Sequence, residues 1–94
     1  MIVRVLGEGQ YSVSDEHAEL LNGLDAGLEQ AVEAGDEAAF RSALSDLLAQ
    51  VRTVGTPLPD DSLDPSYAVL PDAGSTLEEV QEMLAETSEG LIPG

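Results

Sequence analysis

The sequence predicts an α+β fold: an N-terminal β-hairpin, an antiparallel helical hairpin, a long loop and a C-terminal helix. Three observations carry this expectation. Residues 2–13 largely alternate apolar and polar side chains on either side of Gly7-Glu8-Gly9. Residues 15–54 carry two apolar stripes at three- and four-residue spacing, separated by Gly35-Asp36. Residues 75–87 carry a third, shorter stripe behind a capping sequence.

The hairpin comes first. Residues 2–6 are β-rich, and residues 10–13 return. A short loop ending in glycine suits a type I turn closing on a left-handed residue. It predicts that Leu6 opposes Gln10, Val5 opposes Tyr11, Arg4 opposes Ser12 and Val3 opposes Val13. Val3, Val5, Tyr11 and Val13 then share an apolar face, and Arg4, Gln10 and Ser12 share a polar one. Ile2 and Leu6 fall on the polar side. Phosphate binding by this loop is disfavoured: it lacks the further glycines and the lysine of a phosphate loop, and Glu8 would repel the anion.

In the first helix, Ser14 or Asp15 is placed to cap, with Glu16 and Glu19 near the positive end. Leu20, Leu21, Leu24, Leu28, Ala31 and Val32 form its apolar stripe. Gly23 and Gly27 lie on one face, where they either admit a close neighbour or stand at the surface. Gly35 terminates this helix and Asp36 caps the next, so the two are antiparallel neighbours. The second stripe is the clearest: Phe40, Ala43, Leu44, Leu47, Leu48, Val51 and Val54. Glu37, Arg41, Ser45, Asp46, Gln50 and Arg52 oppose it. Gly55 ends the helix, and Pro57 and Pro59 prevent its continuation.

Residues 56–74 form a connection too long to be structureless in a compact domain without a reason. Leu58, Leu63, Tyr67, Val69 and Leu70 are its expected anchors, and residues 68–70 can add a short third strand. Asp60, Asp61, Ser62 and Asp64 cluster here. They lack the turn glycine and distal glutamate of a calcium loop, and Pro65 stiffens the stretch. The third helix is expected over residues 77–87. Ser75 with Glu78, or Thr76 with Glu79, makes its capping box, and Leu77, Val80, Met83 and Leu84 form its apolar face. Gly90 is placed to end it, with Leu91 making the apolar contact beyond.

Length and composition bound the function. Ninety-four residues suit one domain, 1–94. Nineteen acidic residues against three arginines and no lysine give a formal charge of −16. Such a surface repels nucleic acid and anionic lipid. It suits solubility, adaptation to a salty or high-GC organism, or a basic partner. The absence of cysteine removes disulfides and thiolate chemistry and fits a reducing cytoplasm. Neither a signal peptide nor a membrane span is expected. His17 is the only histidine, and no Ser-His-Asp or metal-ligand spacing surrounds it. No catalytic, cofactor or metal site is therefore expected, and no cofactor.

The opening MIVRVLGEGQYSV, the central GTPLPDD with PSYAVLPDAG, and the ending TLEEV with GLIPG resemble the PspA-associated protein family, PspAA. Leu24-Asp25 and Ala34-Gly35-Asp36 extend the likeness along the chain. These motifs are structural, so they identify a family without an active site. The resemblance implies a single PspAA-like domain from actinobacteria or archaea, encoded beside PspA, the phage-shock-protein A. PspA is a coiled-coil protein that acts in envelope stress at the inner face of the cytoplasmic membrane. The resemblance further implies a non-enzymatic interaction module that binds or regulates PspA. It would be cytoplasmic and peripheral to the membrane only through PspA, with no nucleic acid partner and no direct membrane insertion. The residues alone leave two other classes open. One is a small ligand-binding or enzymatic domain using the acidic clusters. The other is an antitoxin-like acidic partner of another basic protein. Ile2, Leu6, Leu91 and Ile92 are the partner-contact candidates, because the core argument leaves them over.

Overall fold

The computed structural model describes residues 1–59 and 68–86. The β-rich runs at the N-terminus pair as expected: β1 (Ile2–Val5) and β2 (Gly9–Val13) form an antiparallel hairpin. Its register differs from the expected one. Val5 opposes Gly9, Arg4 opposes Gln10, Val3 opposes Tyr11 and Ile2 opposes Ser12. The loop is Leu6-Gly7-Glu8, closed by the Glu8 N–H donating to the Val5 carbonyl at 3.0 Å. Gly7 sits third in this turn at φ +84°, a conformation an L side chain resists. Leu6 leaves the hairpin ladder, and its N–H donates to Leu70. The slip is even, so no side chain changes face. Val3, Val5 and Val13 are buried as expected, and Tyr11 is half-buried.

Two short strands complete a four-stranded sheet of order β3-β2-β1-β4. β3 (Gly55–Pro57) pairs antiparallel with β2, and β4 (Ala68–Leu70) pairs parallel with β1. β4 is the short strand expected at residues 68–70. β3 was not foreseen, because Gly55-Thr56-Pro57 reads locally as a helix terminator. Its formation gives part of the long connection a structural reason: the two strands lie on opposite edges of the sheet. Gly55 is required by close approach. A Cβ there would lie 2.5 Å from the Val51 carbonyl oxygen and 3.0 Å from the Tyr11 Cβ.

A 3-10 turn at Asp15–His17 leads into α1 (Ala18–Ala34), which is followed by α2 (Glu37–Val54). Neither Ser14 nor Asp15 makes the expected side-chain cap. Asp15 instead lies 3.6 Å from the N-terminal ammonium, which donates to the Val13 carbonyl. α1 ends as its sequence predicts. Gly35 is left-handed, its N–H donates to Val32, and the Asp36 N–H donates to Ala31. Asp36 then caps α2, its carboxylate accepting from the Ala39 N–H at 3.1 Å.

The α2 stripe is buried at Phe40, Leu44, Leu47, Leu48 and Val51. The α1 stripe holds except at Leu20, with Leu24 packed partly against the core. Leu21, Leu28, Ala31 and Val32 are buried, but Leu20 is 46% exposed and Asp25 only 2%. The α1 residues facing the core recur at 21, 25, 28 and 32, which leaves Leu20 outside the stripe. Gly23 and Gly27 face open space, so they are surface glycines and admit no neighbour.

α3 (Leu77–Ala85) is shorter than expected, with Glu86 at its C-cap. Thr76 with Glu79 forms its capping box; Ser75 instead bonds Asp72. Val80 is buried, and Leu77, Met83 and Leu84 pack partly against the core. One apolar cluster joins the inward side chains of β1, β2 and β4 to all three helices. Leu70 belongs to it, but Val69 points outward and is 38% exposed, which corrects its reading as an anchor. Leu63, Tyr67, Gly90 and the Asp60, Asp61, Ser62 and Asp64 cluster lie outside the described residues.

Candidate interaction surface

The four partner-contact candidates fall in three settings. Leu6 is 42% exposed, just past the end of β1. Ile2 is half-buried, on the face of the sheet away from the main core. Leu91 and Ile92 lie outside the described residues.

Leu6 gains its setting from α3. The helix and its C-cap carry Glu79, Glu82, Met83 and Glu86 at i, i+3, i+4 and i+7, which is one stripe along its length. Leu6, Ser75 and this stripe line a groove of about 340 Å³. Leu6 and Met83 make it apolar, and three glutamates edge it with negative charge. Glu79 also serves the helix: its carboxylate accepts from the Thr76 N–H at 3.3 Å, and its own N–H donates to the Thr76 hydroxyl. Among the described residues, Glu82 and Glu86 have no such partner.

The hairpin turn has a second contact, on the α2 side. Glu8 accepts two hydrogen bonds from Arg52, one from Nε at 2.8 Å and one from the second guanidinium nitrogen. The Tyr11 hydroxyl donates to the same carboxylate at 3.3 Å. This clasp ties the loop after β1 to the last turn of α2. The Arg52 guanidinium holds the Glu8 carboxyl below its ordinary range, and Glu8 in turn raises Arg52. From the sequence, Glu8 reads only as a group that repels phosphate and Arg52 only as a charge opposite the α2 stripe.

His17 is half-buried, its Nε2 3.5 Å from a Glu16 oxygen. Among the described residues, no three His, Asp or Glu side chains converge as a metal site requires. Nor is any described helix long and apolar enough to cross a membrane.

The sequence places Met83 on the apolar face of its helix, where it packs partly against the core, and assigns a capping role to Glu78 or Glu79 but none to Glu82 and Glu86. Their spacing was visible, but the apposition of Leu6 was not.

Neither a curated protein nor a solved structure matches the chain significantly. The family model described as PspA-Associated protein matches residues 1–94, so the chain belongs, over its whole length, to the PspA-associated protein family, PspAA.

Proposed function

We propose that this protein is a non-enzymatic interaction module that binds PspA directly and regulates it in the envelope-stress response. The observation that carries this reading is its membership, over all 94 residues, in a family described by association with PspA. Charge supports it. Coiled-coil helices present long solvent-facing rows of charged residues. A chain of formal charge −16 is drawn to basic stretches of such rows and away from nucleic acid and anionic lipid. That attraction speeds association and makes it salt-sensitive, while a few apolar contacts hold the complex. Ile2, Leu6, Leu91 and Ile92 are proposed for those contacts. The protein then works in the cytoplasm and reaches the inner membrane surface through PspA.

The test is immobilised PspA against the wild type and against Leu6→Asp and Ile92→Asp variants, at low and moderate salt. Saturable binding that weakens with salt is expected, with further weakening in the variants. Absence of binding at every salt concentration would overturn direct association. Unchanged affinity in folded variants would remove these side chains from the contact.

A further inference from the structure

We propose that the groove between Leu6 and α3 docks a basic amphipathic helix. That helix places one large apolar side chain between Leu6 and Met83 and sets lysine or arginine against Glu82 and Glu86. The inference rests on the PspA-binding reading and supplies its surface and chemistry.

The shape comes first. The groove is open to solvent rather than enclosed. Small-molecule sites usually bury about 70–90% of their ligand, so an open trough suits the flank of a chain segment better. On α3, Val80 belongs to the core, and Leu77, Leu84 and part of Met83 pack against it, which leaves the rest of Met83 to the groove. The stripe of Glu79, Glu82, Met83 and Glu86 is thus presented by a helix already anchored from behind.

The charges point to a cation. Glu82 and Glu86 are like charges at i, i+4, an arrangement that costs a few tenths of a kcal/mol on an exposed helix. Both sit at the negative end of α3, where carboxylates are disfavoured, and its last turn carries no basic residue. Neither carboxylate is paired among the described residues. A basic helix relieves both penalties: cations on consecutive turns stand about 6 Å apart along the axis, the same rise that separates Glu82 from Glu86. Other occupants leave the penalties in place or deepen them. A second copy of this chain brings another −16, and phosphate or anionic lipid adds negative charge. An uncharged apolar ligand leaves both carboxylates unpaired.

The experiment uses the full chain and two probes. One is PspA. The other is a synthetic helical peptide with a central leucine and, beside it on the same face, two lysines four residues apart; the same peptide with glutamates is its control. Three variants are compared with the wild type: Leu6→Ser, the double variant Glu82→Gln/Glu86→Gln, and the double variant Glu19→Gln/Glu33→Gln. The last removes the same charge from exposed positions on α1. The lysine peptide and PspA should each bind about tenfold more weakly to the Leu6 and groove-glutamate variants, the size of a modest hot spot. The α1 control should hold to within about twofold. The groove double variant should also melt slightly above the wild type, because it removes an unrelieved repulsion.

Equal weakening in both double variants would reduce the effect to diffuse attraction and overturn the proposal. So would binding that emerges only in a Leu91→Asp/Ile92→Asp variant, since the chain's own C-terminal segment would then be the occupant. Peptide binding in the groove without PspA binding would support the docking chemistry and remove the PspA reading. PspA binding that ignores every groove variant would keep that reading and remove the groove.

Discussion

Arg52 and Glu8 are 44 positions apart in sequence and meet through two hydrogen bonds. The guanidinium fork matches a carboxylate, so the pair fixes the hairpin turn in direction as well as distance. The Arg52 side chain is 44% exposed, and solvent keeps the energy of such a pair small. A double-mutant cycle with Glu8→Gln and Arg52→Ala should give a coupling of about 0.2–1 kcal/mol in urea unfolding. Its pH dependence has a definite sign. The folded-state pKa of Glu8 lies below its ordinary value. The clasp therefore contributes fully above the unfolded-state pKa, and its contribution is lost as pH falls through the lowered folded value. The stability difference between wild type and Glu8→Gln should be largest near neutrality and close toward acid. A difference that grows in acid would reverse the assignment. Gly55 makes a second residue-scale test. A methyl group there meets the Val51 carbonyl and the Tyr11 side chain, so Gly55→Ala should cost about 1–3 kcal/mol by overpacking.

At the scale of elements, the helices differ in what they can lose. Leu44 and Leu47 lie mid-stripe in α2, 2% and 0% exposed. Truncation of either to Ala should cost about 2–5 kcal/mol, read as a fall in the denaturation midpoint. The total stability of a small domain is only about 5–15 kcal/mol, so the double variant should be unfolded. A double variant that melts with the wild type would refute the burial. α1 offers the opposite case. Gly23 and Gly27 are helical, exposed and unopposed. Gly23→Ala and Gly27→Ala should each stabilise by about 0.5–1 kcal/mol, since alanine loses less backbone freedom on folding. A loss of stability at either would mean that a partner or neighbour uses the space. The helices were legible in the sequence because their signals are local: stripe, capping residue and terminating glycine lie within a few residues of one another. Leu20 and Leu21 are equally apolar and both read as stripe residues; only packing chooses Leu21 over Leu20. Asp25 stands in the 21–28–32 periodicity, but its charge argued for the surface.

The whole molecule is governed by an imbalance of charge. Three arginines face nineteen carboxylates. Glu37 holds Arg41 at 3.0 Å and Glu8 holds Arg52, so these cations are taken up within the fold. Self-repulsion among the remaining carboxylates should destabilise the compact state at low ionic strength. Raising salt from 0.01 M to 0.1 M shortens the screening length from about 30 Å to about 10 Å. Tm should rise over that range, measured by circular dichroism. A flat or falling response would show that the charges are too dispersed to matter. At this scale the same charge that keeps copies of the chain apart favours a basic partner.

By itself the sequence determined the α+β class, the three helices with their principal core residues, the short strand β4, the face assignment of the hairpin and the family. Each is written in a short window or in residue order: a 3.6-residue or two-residue period, a cap, a motif. The tertiary structure alone decided four things. The hairpin register was one, because slips of two leave the same side chains on the same face and alternation cannot distinguish them. The edge strand β3 was another, since three residues beginning with glycine and ending with proline acquire strand character only by pairing with β2. The Glu8–Arg52 clasp and the Leu6–Met83 groove were the others. Both unite residues remote in the chain, and only the folding of the sheet against its helices brings them together.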